Sequence, residues 1–193
     1  MTMHLNSYFS VITNENIWLN KCSLKFYLDY LFHGVSFQDK HVLDIGAGVG
    51  LYSFYAACSG AKNVVALEPE AAGSQNRMID TFHRLKEQLN INHVHLFEET
   101  FQHHKGCEAE YDIVIMHNSI NHLNESACMQ LHTSSNEGLR ARNLYLSFFE
   151  KLHKMMGSNS RLILADCSRY NLFRFLPMKN PFCHSIEWEK HQS

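Results

Sequence analysis

The stretch from His41 to Gly50 constrains the fold of this chain more than any other part of the sequence. It reads His-Val-Leu-Asp-Ile-Gly-Ala-Gly-Val-Gly, and its first residues suit a buried strand. Three alternating glycines, Gly46, Gly48 and Gly50, let the backbone bend sharply and approach a ligand without interference from a Cβ atom. From about Leu51 the sequence suits a helix whose N-terminal amides point back at the turn. The stretch therefore predicts a strand, a glycine turn and a helix around a nucleotide-type ligand.

The spacing of the glycines separates two kinds of nucleotide site. A dinucleotide fingerprint, G-x-G-x-x-G, would place its third glycine at Leu51, whereas this chain carries G-x-G-x-G with Asp44 two residues ahead. In this motif and its context the sequence resembles the class I S-adenosylmethionine (SAM)-dependent methyltransferases. The resemblance implies SAM as the cofactor, with the acid near its ammonium group. The residues that it implies for cofactor binding are Asp44, Gly46, Ala47, Gly48 and Gly50.

Strands and helices alternate along the rest of the chain. Apolar runs predict strands at 63–67, 94–97, 111–116 and 161–165, and helical spacing predicts helices at 51–58, 72–89 and 139–156, the last stopped by Gly157. The alternation predicts a doubly wound, mostly parallel sheet with helices on both faces, as in the Rossmann-like fold of this family.

Three segments are expected along the chain. They are a helical lead-in or lid at 1–40, the SAM-binding domain at 41–176 and a tail at 177–193. The family normally adds a C-terminal strand hairpin, and too few residues follow Asp166 to accommodate it. We therefore expect that this hairpin is missing and that the sequence ends early.

Two acidic positions follow predicted strands. Glu68 stands at the end of the second strand, about 20 residues beyond the glycine turn, where an acid can accept from both ribose hydroxyls; the resemblance implies the same role. Its alternative role is that of a helix-start residue ahead of Pro69. After the third strand the family holds the adenine, and Glu99 and Thr100 are the residues expected to do so here.

The fourth predicted strand ends in a polar segment, His117-Asn118-Ser119-Ile120-Asn121-His122. Ligands of doubly wound sheets bind beyond the carboxyl ends of the strands where strand order reverses, so we expect this segment to face the methyl donor. His117 is expected to contact the cofactor, and His117 or His122 to serve as a base. Asn118 and Asp166 are the expected substrate residues, although Asp166 suits a loop-capping role equally well.

Composition and motifs exclude several partners. The chain has 17 basic and 19 acidic residues without a basic patch, so no nucleic acid is expected. The Asn/Asp-Pro-Pro-aromatic box of methylases that act on planar amines is absent, which favours a small-molecule acceptor.

No membrane-spanning stretch or secretory signal is present, and the six scattered cysteines suit a cytoplasmic protein. The 14 histidines follow no zinc spacing, so no metal is expected. Oligomeric state stays open.

Two other functions remain open at this stage. A methyltransferase-like module could bind SAM, or nothing, without catalysis, since fold does not fix function. A nicotinamide-dependent oxidoreductase on a related fold is less compatible with the glycine spacing and with the lack of a Tyr-x-x-x-Lys pair.

Overall fold

Five parallel strands form the centre of the computed structural model, which describes residues 3–70 and 77–166. The strands are β1 (His41–Ile45), β2 (Asn63–Leu67), β3 (Val94–Phe97), β4 (Tyr111–His117) and β5 (Met156–Ala165). Their order across the sheet is β3-β2-β1-β4-β5. Strand order therefore reverses between β1 and β4, and this is where a doubly wound sheet binds its ligands.

The register of the central strands aligns their carboxyl ends. Ile45 pairs with Leu67 of β2 and with Met116 of β4. The residues that follow each strand therefore emerge at one edge of the sheet, which we call the carboxyl edge. The glycine turn, Glu68 and His117 all stand on this edge.

Helices cover both faces of the sheet. The helices are α1 (Met3–Asn14), α2 (Lys21–Leu31), α3 (Leu51–Cys58), α4 (Met78–Leu89), α5 (Glu125–Gln130) and α6 (Asn136–Met155), with a single 3-10 turn at Asn121–Leu123. Apolar residues of α1 to α4 form one core cluster with alternate residues of the strands, and α5 and α6 form the other. The nearly continuous apolar strands suit a sheet that is buried on both faces. The predicted doubly wound, parallel fold is confirmed.

The N-terminal helices pack against the sheet domain. The side chain of Tyr8 in α1 is fully buried, and its hydroxyl donates to the backbone carbonyl of Leu51, at a distance of 2.9 Å. In α2, Leu24 and Leu28 are fully buried, whereas Phe26 and Tyr30 are each 76% exposed. The lead-in is thus a pair of helices anchored in the core; its role as a lid stays a prediction.

Several predicted boundaries differ from those observed. Helix α4 begins at Met78, because Arg77 ahead of it has a left-handed φ of +69°. Residues 72–76 of the predicted helix lie outside the described part of the chain. Helix α6 begins at Asn136, three residues before the predicted start, because the Ser135 side chain caps it by accepting from the Gly138 amide. It ends at Met155, so the prediction that Gly157 stops the helix is wrong; Gly157 belongs to β5. The predicted tail, 177–193, lies outside the described residues, and so does the region to which the expectation of a missing C-terminal hairpin refers.

Candidate functional site

The glycine turn needs glycine for two different reasons. Gly46, Gly48 and Gly50 have φ values of +72°, +55° and +84°, which L side chains rarely adopt. A Cβ atom on Gly46 would also lie 2.6 Å from Cβ of Ser119, and one on Gly50 would lie 2.6 Å from the rings of Phe54 and Phe82. At Gly48 the nearest atom is the sulfur of Met78, at 3.5 Å. The backbone at Gly48 is therefore the part of the turn that is open to a ligand.

Glu68 links the glycine turn to the end of β2. Its carboxylate accepts from the amide of Gly48 at 2.9 Å and from the amide of Glu70 at 3.0 Å, and the residue is only 4% exposed. These two bonds fix the orientation of the carboxylate beside the glycine turn. The structure thus places Glu68 beside the glycine turn; its role in binding ribose stays a prediction.

Asp44, Glu68 and His117 share one face of the sheet. Side chains alternate between faces along a strand, and Val42, Ala66 and Ile115 pack in the cluster formed with helices α1 to α4. Asp44, Glu68 and His117 each lie two residues beyond one of these, so their side chains point to the same face of the sheet. The face that carries α3 therefore presents all three side chains at or just below the carboxyl edge.

Asp44 is a buried carboxylate that is hydrogen-bonded by Ser53. It is 1% exposed, and the hydroxyl of Ser53 donates to its Oδ2 at 2.6 Å. Burial raises the pKa of Asp44 to about 7; the Ser53 hydrogen bonds oppose this shift, and the nearby charge of Glu68 adds to it. A cation brought to this region would favour the ionised form. The site is therefore suited to a positively charged ligand group.

His117 lies within a cluster of aromatic residues. Its Nε2 is hydrogen-bonded to the hydroxyl of Tyr27 from helix α2, and its ring centroid is 4.6 Å from that of Tyr52 in α3. Burial lowers the pKa of His117, while the charge of Asp166 opposes that shift. The imidazole is therefore held mainly in its neutral form.

The polar segment after β4 divides into buried and exposed parts. Ser119 and Asn121 are 5% and 3% exposed, and Ser119 Oγ and Asn121 Oδ1 have no hydrogen-bond partner in the described part of the chain. Asn118 has a φ of +50°, and its amide donates to the Ala165 carbonyl at 2.8 Å. In contrast, His122 is on the surface, where its Nδ1 is 2.8 Å from Glu125. The sequence offered both histidines as the base; the structure brings His117 to the shared face and His122 to the surface.

The other predicted site residues flank this region. Asp166 Oδ2 accepts from the amide of Ile120 at 3.2 Å, which supports the loop after β4. Glu99 is 2.8 Å from Nδ1 of His104, and Thr100 Oγ1 is 3.0 Å from Nδ1 of His103. Glu99 and Thr100 both follow β3, and the carbonyl of Phe97 in β3 accepts from the backbone amide of Glu68 at 3.1 Å. A role in holding adenine stays a prediction.

Sequence reasoning missed three of the residues that shape the site. Tyr27 belongs to the predicted helical lead-in, and Tyr52 and Ser53 belong to the predicted helix at 51–58; neither prediction names a side chain for the site. Their signal was present in the sequence, because Tyr52 and Ser53 lie in the first turn after the glycines. Tyr27 had no such signal, since its contact with His117 spans 90 residues.

The described residues show neither a group of metal ligands nor a membrane-spanning helix. Within 3–70 and 77–166, no three His, Cys, Asp or Glu side chains are grouped so that they could hold a metal ion. None of the helices in these ranges has the length and apolar character needed to cross a bilayer. The four cysteines of the described part, Cys22, Cys58, Cys107 and Cys128, form no disulfide with one another.

Comparison with protein families gives one match that covers more than half of the chain. A family model described as a methyltransferase domain matches residues 42–141. Among curated proteins, the histone-arginine methyltransferase CARMER of Drosophila erecta is 41% identical over 63 residues, which cover 33% of this chain and 11% of that protein. The chain thus spans about a tenth of the length of the curated relatives that it matches.

Solved structures share the fold at low sequence identity. A SAM-dependent methyltransferase from Aquifex aeolicus aligns with a TM-score of 0.54 and 17% identity over 77% of this chain and 65% of that one. Phosphoethanolamine N-methyltransferase 1 from Haemonchus contortus, solved with phosphoethanolamine and S-adenosylhomocysteine, aligns with a TM-score of 0.52 and 16% identity. That alignment covers 70% of this chain and 24% of the other.

Proposed function

This chain belongs to the class I SAM-dependent methyltransferases, and we propose that it transfers the methyl group of SAM to a small-molecule acceptor at the carboxyl edge of its sheet. The methyltransferase domain model confirms the expected family, the enzyme class and SAM as the cofactor. The acceptor and the roles of individual residues are our proposal. The observation that carries it is the convergence of Asp44, Glu68 and His117 around the glycine turn, on one face of the sheet.

The residues at this edge match the chemical groups of SAM. The backbone at Gly48 is open, and Glu68 beside it is oriented to accept from the ribose hydroxyls. Asp44, whose ionised form a cation would stabilise, suits the ammonium of the methionine tail. Glu99 and Thr100 lie after β3, next to Glu68, and suit the adenine. When bound, SAM supplies a methyl group that its sulfonium already activates.

The protein's own contribution is then alignment of the acceptor with the methyl group. Positioning of this kind can supply several kcal/mol of the barrier reduction. A base is needed only where the acceptor must lose a proton, and a histidine titrates near neutrality. We assign that role to His117, which is on the shared face, and not to His122, which pairs with Glu125 on the surface. Asn118 and Asp166 border the acceptor in this proposal.

A protein acceptor is the second candidate, favoured by the 41% identity with a histone-arginine methyltransferase over 63 residues. A guanidinium is best bound by paired carboxylates. The segment 117–124 after β4 contains no Asp or Glu, and Glu125, which follows it, pairs with His122. This segment therefore suits a small acceptor better than an arginine side chain.

The test uses SAM labelled on its methyl carbon and the full chain. The protein is incubated with a low-molecular-mass extract and, separately, with the matching protein fraction, and transferred label is counted. We expect label in small molecules, lost in Glu68→Gln and retained in Glu98→Gln, a control at an exposed acid just past β3. Label in the protein fraction alone would replace our acceptor with the second candidate.

Two further measurements, read together with the transfer of label, address the two remaining functions. A non-catalytic module would bind SAM in a direct titration but would transfer no label to either fraction. An oxidoreductase would change the fluorescence of NADH on mixing, which we do not expect from the glycine spacing. Either result would contradict methyl transfer by this chain.

A further inference from the structure

Aromatic rings from three parts of the chain border His117 at the carboxyl edge. The Tyr27 hydroxyl contacts Nε2 of His117, and the centroid of the Tyr52 ring lies 4.6 Å from that of the imidazole. Trp18 stacks on Tyr27 at 5.2 Å, with 29° between the ring planes, and both residues are only partly buried. The faces of aromatic rings attract cations. This aromatic cluster, formed by Trp18, Tyr27 and Tyr52, therefore favours a positively charged group beside His117.

A carboxylate stands next to this cluster, at the end of β5. His117 pairs with Ala165 in the sheet, and the amide of Asn118 donates to the Ala165 carbonyl at 2.8 Å. Asp166 therefore follows β5 directly beside the polar segment, and its negative charge acts on His117. The Ile120 amide donates to Oδ2 of Asp166 at 3.2 Å, which orients the carboxylate. A negative charge is thus held where the acceptor is expected.

The charged side chains at the carboxyl edge have one sign. Five short described segments directly follow the strands, and no Lys or Arg stands in them. The segments are 46–50, 68–70, 98–100, 118–124 and 166. The acidic residues in them are Glu68, Glu70, Glu98, Glu99 and Asp166. A carboxylate or phosphate on the acceptor would be repelled by these groups, whereas an ammonium would be attracted.

We propose that the acceptor is a small aliphatic amine, which binds as its ammonium ion between Asp166 and the aromatic cluster and is methylated on nitrogen. This inference rests on the proposed function and specifies its acceptor. It also agrees with the absence of the Asn/Asp-Pro-Pro-aromatic box, which serves planar amines.

The transfer balances with the residues of the site. The ammonium gives a proton to His117, and the freed lone pair on nitrogen attacks the methyl carbon of SAM. The new C–N bond forms as the C–S bond breaks, and the electron pair of the broken bond stays on the sulfur of S-adenosylhomocysteine. Burial lowers the pKa of His117, so the imidazole is able to take this proton near pH 7 and does not repel the ammonium. Asp166 then stabilises the imidazolium.

The first test separates the low-molecular-mass extract by charge before the transfer assay. A cation-exchange resin at pH 7 retains amines, whereas anions and neutral compounds pass through. Each fraction is incubated with the full chain and SAM labelled on its methyl carbon, and the products are separated from SAM by chromatography and counted. We expect most of the label in products of the retained fraction. Most of the label in products of the unretained fraction would overturn the inference and leave the proposed function standing, and no label in either fraction would overturn both.

The second test removes the charge of Asp166. Asp166→Asn retains an oxygen that accepts from the Ile120 amide, so the loop after β4 keeps its support while the attraction of an ammonium is lost. Transfer to the retained fraction at limiting concentration should fall about tenfold or more, and the dissociation constant of SAM should stay the same. Glu125→Gln removes an acid that pairs with His122 at the surface, and it should change neither quantity. Equal transfer by Asp166→Asn and the wild type would overturn the placement of the amine.

The third test measures binding of a cation without any transfer. Tetramethylammonium has the charge of the proposed ligand, and tert-butanol has a similar shape without charge. Saturation-transfer NMR in the presence of S-adenosylhomocysteine should detect the first probe on the protein and not the second. Tyr27→Leu removes one ring of the cluster and should weaken this binding about three- to tenfold, whereas Tyr30→Leu, at an exposed position of the same helix, should leave it unchanged. Equal signals for both probes on the wild-type chain would overturn the cation site even if methyl transfer occurs.

Discussion

Cofactor binding should depend on pH through a single carboxylate, Asp44. Burial raises the pKa of Asp44 to about 7 in the free protein, and only its ionised form attracts the ammonium of the cofactor. Affinity should therefore rise with pH. A pKa of about 7 leaves about 3% of the carboxylate ionised at pH 5.5 and about 76% at pH 7.5. The dissociation constant should fall about 25-fold between these two values.

The folding equilibrium of the free protein should change in the opposite direction. In the unfolded chain Asp44 ionises near its ordinary value of 3.8, well below its value in the folded protein. The folded state then binds the extra proton, so the contribution of Asp44 to the free energy of unfolding falls as pH rises from about 4 to about 7. Bound cofactor should reduce this loss, because it stabilises the ionised carboxylate.

The assay is a calorimetric titration with S-adenosylhomocysteine, which carries the same ammonium group as SAM. Titrations at pH 7 in buffers of different ionisation enthalpy should report the release of about half a proton for each ligand bound. Asp44→Asn keeps the shape of the side chain but cannot ionise. It should therefore bind more weakly, and its binding heat should not depend on the ionisation enthalpy of the buffer. A wild-type affinity that is constant from pH 5.5 to 7.5, or the same proton release in Asp44→Asn, would refute the reasoning.

Three further predictions concern packing and placement. Gly48→Val should abolish SAM binding in a folded protein. In contrast, Gly50→Val should lower the free energy of unfolding by at least about 2 kcal/mol, because its Cβ would lie 2.6 Å from two aromatic rings. Circular dichroism measures the loss of stability, and calorimetric titration measures the loss of binding. Tyr8→Phe should cost about 1 kcal/mol in urea unfolding, since a buried hydroxyl loses its bond to Leu51, and full stability would contradict the contact. His122→Ala should leave transfer of label unchanged, and a large loss would return this exposed histidine to the site.

The strands and the glycine turn were predictable because local sequence determines them. Positions 46 and 50 require glycine because of their positive φ values and their close packing. The spacing of the glycines in the sequence therefore identified the turn. The apolar runs of β1 and β2 have no competing interpretation, and both strands occur within the predicted bounds. Asp44 and Glu68 lie on one face of the sheet because side chains alternate between the two faces along each strand.

The parts that sequence reasoning missed depend on contacts between distant segments. Tyr27 meets His117 across 90 positions, and nothing in its neighbourhood distinguishes it from the exposed Tyr30. His122 differs from His117 only because the chain turns after β4 and presents it to Glu125. The start of β5 at Met156, directly after α6, reflects pairing with Tyr111 of β4, which overrides the local signal for a helix stop at Gly157.

The most direct test of the central claim is calorimetric titration of the full chain with SAM at pH 7.5, alongside Gly48→Val. The account predicts micromolar binding of one SAM for each chain, and no heat of binding in the folded variant. A well-folded wild-type chain that binds no SAM, or a Gly48→Val variant that binds it with wild-type affinity, would contradict a cofactor site at the glycine turn.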